Sequence, residues 1–274
     1  MSATTATARL TTRDIQNLKR RGEKIAMLTA YDYVTAGLLD QAGIEMILVG
    51  DSLGNVVLGH ETTLPVTLED MIRHAGAVHR GTRRALIVVD MPFGTASDPE
   101  TALRNAVAIM QRTGCQAVKI EGGATVAPTV ARLTEQGIPV VGHIGLTPQA
   151  VHQLGGYYRH GKTAPAAQKL IDAALALQDA GAFAIVLEMV VPELAGEITR
   201  LLDIPTIGIG SGPECSGQVL VVNDLIGLNV DRTPSFAKPK ADVASVIRRA
   251  VGEYVAEVKA AEPAKAKGRA LADG

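Results

Sequence analysis

From about residue 25 to residue 222 the chain alternates between short apolar runs and longer amphipathic stretches. Eight runs rich in β-branched residues lack polar alternation, which is typical of strands buried on both faces of a parallel sheet. Between them, apolar residues recur every three or four positions, as in amphipathic helices. The predicted strands are 25–30, 46–50, 85–90, 117–121, 139–143, 183–188, 205–210 and 219–222.

Regular alternation of eight strands with helices predicts an α/β fold of the (β/α)8 TIM barrel class in a single domain. The length of 274 residues is close to the about 250 residues typical of that fold. Gly114, Gly137 and Gly181 each stand just before a strand, where a preceding helix would end. We expect residues 13–258 to form the catalytic barrel, residues 1–12 a flexible arm and residues 259–274 a disordered tail.

Acidic residues stand at the ends of four of the predicted strands. Three of these runs reach a carboxylate at Asp51, Asp90 and Glu188, and a fourth carries Lys119 and ends in Glu121. In parallel α/β folds the carboxyl ends of the strands open into the loops that build the active site. We therefore expect these side chains to converge at one mouth, as in an enzyme that uses a divalent metal.

The acids suit magnesium. Mg²⁺ prefers hard oxygen ligands and is commonly held by one or two carboxylates, with waters and substrate oxygens completing its octahedron. We interpret Asp51 and Asp90 as metal ligands and Glu121 as a third, acting directly or through a water. The alternative for each is a helix cap or a structural ion pair.

Lys119 has three interpretations: it neutralises Glu121, binds a substrate carboxylate or forms a Schiff base. We favour anion binding, because a metal would already polarise the carbonyl group. Glu188 lies among apolar residues, where burial disfavours the charged form and suits a general base, although a structural ion pair is the alternative. His143 ends a strand and is either a substrate-binding or a structural histidine.

Composition excludes several classes of partner. With 27 basic and 28 acidic residues, the net charge of −1 argues against nucleic acid or an anionic membrane as a partner. No run approaches the roughly 18 apolar residues of a transmembrane helix, and the N-terminus lacks the apolar core of a signal peptide. Cys115 and Cys215 form no paired motif, so we expect a reduced, cytoplasmic protein.

Several motifs resemble the ketopantoate hydroxymethyltransferase family, in order along nearly the whole chain. They are Leu28-Thr29-Ala30-Tyr31-Asp32, Val49-Gly50-Asp51-Ser52-Leu53-Gly54, Thr63-Leu64-Pro65-Val66-Thr67, Val118-Lys119-Ile120-Glu121-Gly122-Gly123, Gly142-His143-Ile144-Gly145-Leu146-Thr147-Pro148-Gln149 and Gly208-Ile209-Gly210. The chain departs from the family's usual pattern at Tyr158, Lys162, Ser211 and Ser216.

The resemblance implies a Mg²⁺-dependent barrel of the phosphoenolpyruvate/pyruvate superfamily. Its members transfer a hydroxymethyl group from 5,10-methylenetetrahydrofolate, a co-substrate, to the small 2-oxo acid 3-methyl-2-oxobutanoate, giving 2-dehydropantoate. It also implies a homo-oligomer, expected to be a decamer. Matched by position, Asp51 and Asp90 are metal ligands that also meet the substrate, and Glu121 is the third metal-associated acid. Ser52 and Lys119 are substrate-binding residues and Glu188 is the proton acceptor.

Two alternatives stay open at this point. An isocitrate-lyase-like C–C lyase would share the Mg²⁺ carboxylates, but such enzymes usually depend on a reactive cysteine in a lid. Neither Cys115 nor Cys215 lies in the long loop 147–163, which we expect to be the lid. A catalytically silent metabolite-binding barrel is the other alternative.

Overall fold

Eight parallel strands close into a barrel in the computed structural model, which describes residues 8–230 and 234–260. The strands are β1 (Ile25–Thr29), β2 (Met46–Val49), β3 (Leu86–Asp90), β4 (Ala117–Glu121), β5 (Val140–Gly145), β6 (Ala184–Glu188), β7 (Thr206–Ile209) and β8 (Gly217–Leu220). Each strand pairs with the next, and β8 pairs with β1. The predicted (β/α)8 barrel is therefore confirmed.

The described helices follow the strands in the expected alternation. They are α1 (Thr12–Arg20), α2 (Tyr33–Gln41), α3 (Leu53–Val56), α4 (Leu68–Gly81), α5 (Pro99–Thr113), α6 (Ala127–Glu135), α7 (Val151–Leu154), α8 (Ala164–Asp179), α9 (Pro192–Leu201), α10 (Val222–Ile226) and α11 (Val243–Ala260). Short polar side chains start several of them: Thr11 and Thr67 each form a capping box with an aspartate three residues later. Gly114 ends α5 in the left-handed conformation, as the sequence predicts.

Every strand contributes to one apolar cluster inside the barrel. It is formed by alternate strand residues such as Met27, Leu48 and Val88, and Ile15 of α1, fully buried, packs against it. Successive strand residues point to opposite sides, so the interior row continues two residues at a time towards the carboxyl end. In β3 that row runs from Val88 to Asp90, where the interior changes from apolar to charged.

The chain divides into two compact units. The first contains the whole barrel and ends at Val222, and the second begins at Asn223 and includes α11. Within the region predicted to be a flexible arm, Leu10 N–H donates to the carbonyl of Arg84, and Arg9 donates to the carbonyls of Thr82 and Ala85. Most of the tail predicted at 259–274 lies outside the described residues. In the described part of the chain, no helix is long and apolar enough to cross a membrane.

Candidate active site

Four neighbouring strands align the predicted chemistry at the carboxyl end of the barrel. In register, Asp90 on β3 pairs with Lys119 on β4, and Glu121 on β4 pairs with His143 on β5. One step further, Gly145 on β5 pairs with Glu188 on β6. Parallel pairing thus places residues distant in sequence at nearly the same level, which is why the acids at the strand ends converge.

Lys119 is the centre of this cluster. Its ammonium nitrogen lies 2.9 Å from Asp90 Oδ1, 3.7 Å from Glu121 Oε1 and 3.2 Å from His143 Nδ1. The side chain is only 4% exposed, so these contacts are little screened by water. Burial alone lowers the pKa of Lys119, but the charges of Asp90, Glu121 and Asp51 outweigh it and raise the pKa. A charged lysine therefore lies between the acids.

The acids differ in how well they are neutralised. Burial raises the pKa of Asp51 well above its usual range, and the negative charges of Asp90 and Glu121 raise it further. Burial also raises the pKa of Asp90, although Lys119 partly offsets that effect. For Glu121 burial acts in the same direction, but His143 and Lys119 outweigh it and lower the pKa. Negative charge is thus in excess around Asp51 and Asp90, which is the condition that a bound cation would relieve.

His143 connects the two ends of the cluster. Its Nδ1 lies 3.2 Å from Glu121 Oε1, and its Nε2 lies 3.2 Å from Glu188 Oε2. Burial and the charge of Lys119 lower the pKa of His143, but its contacts with Glu121 and Glu188 outweigh them and raise it to about 9. A protonated imidazole therefore lies beside Glu188, whose side chain is 16% exposed and can be reached from the barrel mouth.

Ser52 faces the site because it is not used as a helix cap. It starts α3 in a helical conformation with no side-chain capping bond, and its Oγ lies 2.9 Å from the hydroxyl of the buried Tyr31. Gly50 permits this approach, because a Cβ there would lie 2.9 Å from Ser52 Oγ. Asp51 stands between Gly50 and Ser52, and its N–H donates to Asp90 Oδ2 at 3.0 Å. A side chain at residue 50 would therefore displace the Ser52 hydroxyl.

Gln149, on the loop after β5, is not among the site residues that the sequence predicts. Its Nε2 donates to Asp51 Oδ2 at 2.8 Å and to the carbonyl of Met91 at 3.0 Å. Its backbone N–H donates to Glu121 Oε2 at 3.0 Å. The loop expected to be the lid is thus attached to two of the candidate metal ligands. The signal available in the sequence was a polar residue just after a strand that ends in the site.

Ser211 departs from the family's usual pattern and is not among the predicted site residues. It is fully buried, donates to the carbonyl of Leu187 at 2.7 Å and accepts from the N–H of Val190 at 3.0 Å. These two groups flank Glu188 and Met189, and Met189 has a φ of 51°. A non-glycine residue in that conformation costs energy and needs support from its surroundings. Ser211 supplies that support to the segment that carries Glu188.

A close approach of two backbones adds to this support. Gly145 has a φ of 96°, and a Cβ there would collide with the carbonyl oxygen of Glu188. The next N–H, that of Leu146, donates to the same carbonyl at 2.8 Å. The end of β5 and the end of β6 are therefore fixed to one another, which holds the base of the Glu188 side chain.

The predicted residues thus lie together, although their roles stay predictions. Direct contacts join Asp90, Lys119, Glu121, His143 and Glu188 in a series, and Asp51 contacts Asp90 through its backbone. Among the described residues, no three acidic, histidine or cysteine side chains converge as a complete metal-ligand set. A site for Mg²⁺ here would rest on fewer protein ligands, with water or substrate oxygens supplying the others.

Comparison with known proteins identifies the family. Residues 9–264 match the profile described as Ketopantoate hydroxymethyltransferase. This chain belongs to the ketopantoate hydroxymethyltransferase family. The 3-methyl-2-oxobutanoate hydroxymethyltransferase of Chloroflexus aurantiacus is 56% identical over 251 residues, covering 92% of this chain and 89% of the relative. That of Gloeobacter violaceus is 54% identical over 253 residues, covering 92% and 97% respectively. The family resemblance expected from the motifs is confirmed.

Solved structures show that this family member shares its fold with a wider group. A phosphonopyruvate hydrolase matches with a TM-score of 0.64 at 13% identity, over 93% of this chain and 92% of that chain. A 2,3-dimethylmalate lyase, a PEP mutase/isocitrate lyase superfamily member, matches with a TM-score of 0.61 at 17% identity, over 94% and 91%. At such low identity these similarities establish the barrel and not the reaction.

Proposed function

We propose that this chain transfers a hydroxymethyl group from 5,10-methylenetetrahydrofolate to 3-methyl-2-oxobutanoate, giving 2-dehydropantoate in the route to pantothenate. Membership of the ketopantoate hydroxymethyltransferase family supports this reaction. The observation that carries it is the series of contacts from the buried Asp90, Lys119, Glu121 and His143 to the partly exposed Glu188. A candidate base, a cation and oxygen ligands thus meet at one mouth.

We infer that Mg²⁺ is the metal and that Asp51 and Asp90 hold it, with Glu121 as a third acid close by. Their oxygens are the hard donors that Mg²⁺ prefers. Burial is the main reason that the pKa of both aspartates is raised, and a bound cation would compensate the charge that burial disfavours. When bound, the metal supplies Lewis-acid polarisation of the substrate's 2-oxo group, which acidifies the proton on C3.

The substrate carboxylate would be bound by Lys119 and Ser52. The ammonium group of Lys119 remains charged in this environment, and the Ser52 hydroxyl is oriented by Tyr31 at 2.9 Å. The contacts of Lys119 with Asp90 and Glu121 hold its nitrogen in place, so little entropy is lost when the anion binds. His143 would contact the substrate from the side of Glu188.

Glu188 would act as the general base. It takes the proton from C3, and the electron pair left on C3 forms the new bond to the methylene carbon of the folate. That carbon's bonds to the two folate nitrogens break, water supplies the hydroxyl oxygen, and tetrahydrofolate leaves. His143 Nε2 lies 3.2 Å from Glu188 Oε2, so a protonated imidazole stands beside the base during the transfer.

The lyase alternative gains no support from the cysteines. Cys115 and Cys215 are buried free thiols that precede β4 and β8, away from the loop after β5. Burial raises the pKa of both thiols, which makes them less reactive. Free cysteines also agree with the cytoplasmic location that we propose.

A product assay tests the reaction. The protein is incubated with Mg²⁺, 3-methyl-2-oxobutanoate and 5,10-methylenetetrahydrofolate, and 2-dehydropantoate is measured by mass spectrometry. We expect product only when both substrates and the divalent metal are present. Cleavage of isocitrate without this product would support the lyase instead, and inactivity in both assays would support a binding barrel.

We also propose that the chain assembles with copies of itself, as a decamer on family precedent. Helix α11 supports self-association, because one of its faces is apolar yet exposed in the single chain. Val246, Ile247, Val251, Tyr254, Val255 and Val258 are each at least 40% exposed. Such contiguous apolar surface is typical of an interface. Light scattering at micromolar concentration tests this, and a purely monomeric mass would contradict it.

A further inference from the structure

A cavity of about 470 Å³ opens beside Glu121, between the segments that follow β3 and β5. Phe93 and Leu64 form its apolar side, and Gln149, His152 and Gln153 form its polar side. Gln149 also donates to Asp51 at 2.8 Å. A molecule in this cavity would therefore lie next to the charged cluster without being part of it.

The cavity exceeds what the oxo acid needs. Pockets for ligands of drug size typically measure about 300–1,000 Å³. A small branched 2-oxo acid would be held by Lys119 and Ser52, where the ammonium group compensates its negative charge. The cavity beside Glu121 would then still be available for a larger molecule, and its wall at Glu121 and Gln149 would bring that molecule close to the reacting carbon.

Its lining favours a flat, uncharged heterocycle. The Phe93 side chain is 56% exposed, so an aromatic face is available for stacking. Gln149 and Gln153 offer amide donors and acceptors to a ring edge. Among the described residues that line this cavity there is no lysine or arginine, so a phosphate or another strong anion would find no counter-charge there.

A second cavity, of about 400 Å³, is less suitable. It shares Gly122, Thr147, Ala150 and Gln153 with the first, and extends to Lys169 and Leu170 of α8. None of the candidate catalytic acids lines it among the described residues. A ring in this second cavity would therefore contact none of the candidate catalytic acids.

We propose that the first cavity binds the pterin ring of the one-carbon donor, with Phe93 stacked on the ring and Gln153 and Gln149 bonded to its polar edge. This proposal rests on the proposed transferase function and specifies where its second substrate binds. Gln149 then contacts both substrate sites, because it also holds Asp51. The loop after β5 would then contact both the folate and the carboxylate cluster.

Variants of Phe93 test the assignment. Removing an aromatic residue on which a nucleobase stacks commonly weakens binding roughly five- to hundredfold. Phe93→Ala should therefore raise the KM for 5,10-methylenetetrahydrofolate by a factor in that range. Phe93→Tyr keeps the aromatic ring, so its KM for 5,10-methylenetetrahydrofolate should equal that of the unmodified protein. Lys169→Ala, in the second cavity, is the matched control and should leave this KM within about twofold. Calorimetric titration with tetrahydrofolate should show the same order of affinities without turnover.

Exchange of the C3 proton of 3-methyl-2-oxobutanoate in D₂O needs no folate and separates the possible failures. The proposal predicts normal exchange in Phe93→Ala together with weakened folate binding. Unchanged folate affinity in Phe93→Ala, or a larger loss in Lys169→Ala, would overturn the cavity assignment. Loss of exchange in Phe93→Ala would place Phe93 in the oxo-acid site and also overturn it. Absence of exchange in the unmodified protein would instead refute the proposed function.

Discussion

Replacing Lys119 by methionine tests the electrostatic account of the site. Methionine retains most of the apolar stem but removes the ammonium group that lies 2.9 Å from Asp90 and 3.7 Å from Glu121. Breaking a buried ion pair by removing one partner typically costs about 3–5 kcal/mol, because the remaining charge is left uncompensated. We expect a destabilisation of that size at about pH 8.

The cost should shrink in acid. Without Lys119, the folded-state pKa values of Asp51 and Asp90, already raised by burial, would rise further above the unfolded value of about 3.9. A carboxyl group with a raised folded pKa does not destabilise the fold below its unfolded pKa. Its destabilising effect grows as pH rises from the unfolded pKa to the folded pKa and is then constant. The gap in stability between the variant and the unmodified protein should therefore be smaller at about pH 5 than at about pH 8.

Urea unfolding followed by circular dichroism at these two pH values measures the gap. The control is Lys169→Met, which removes an exposed lysine and should change stability by no more than about 0.5 kcal/mol. Equal destabilisation of Lys119→Met at both pH values would mean that packing and not charge was lost. No destabilisation at about pH 8 would show that Lys119 does not compensate the buried acids.

Three further predictions concern the metal, Glu188 and the lysine. Asp90→Asn should abolish turnover and weaken Mg²⁺ binding in a titration while the circular dichroism spectrum is retained; unchanged Mg²⁺ affinity would refute the ligand assignment. Ser211→Ala should lower kcat about tenfold with little change in the KM for the oxo acid. It removes two hydrogen bonds of about 1 kcal/mol each that support the segment carrying Glu188. A change confined to KM would contradict this prediction. Borohydride treatment with 3-methyl-2-oxobutanoate should leave the protein mass unchanged, whereas an adduct on Lys119 would indicate a Schiff base.

The barrel was predictable because its signals are local. Buried parallel strands need continuous apolar runs, and every predicted strand end falls within two residues of the observed one. The largest shift is in β8, which begins at Gly217 and not at Val219. Gly217 pairs with both Ile25 and Ile207, and a Cβ there would collide with the carbonyl of Ile25. Glycine usually argues against a strand, so this requirement for close approach was hidden in the sequence.

The site was predictable only where strand topology determines it. Acids at the ends of adjacent parallel strands converge for geometric reasons, so Asp90, Glu121 and Glu188 could be grouped in advance. The bond from Gln149 to Asp51 joins residues 98 positions apart and depends on the path of an irregular loop. Likewise the hydroxyl of Ser211 reaches Leu187 on another strand. Neither contact leaves a periodic trace in the sequence.

Deuterium exchange at C3 of 3-methyl-2-oxobutanoate tests the central claim most directly, because it isolates proton removal from folate chemistry. The substrate is incubated with Mg²⁺ in D₂O and followed by NMR, with the unmodified protein and with Glu188→Gln, which keeps the shape but cannot accept the proton. General-base catalysis typically contributes about 10²–10⁴-fold. The account predicts an exchange rate that falls by that factor in the variant while Mg²⁺ affinity is unchanged. Exchange at the unmodified rate in Glu188→Gln would contradict it, because another group would then be the base.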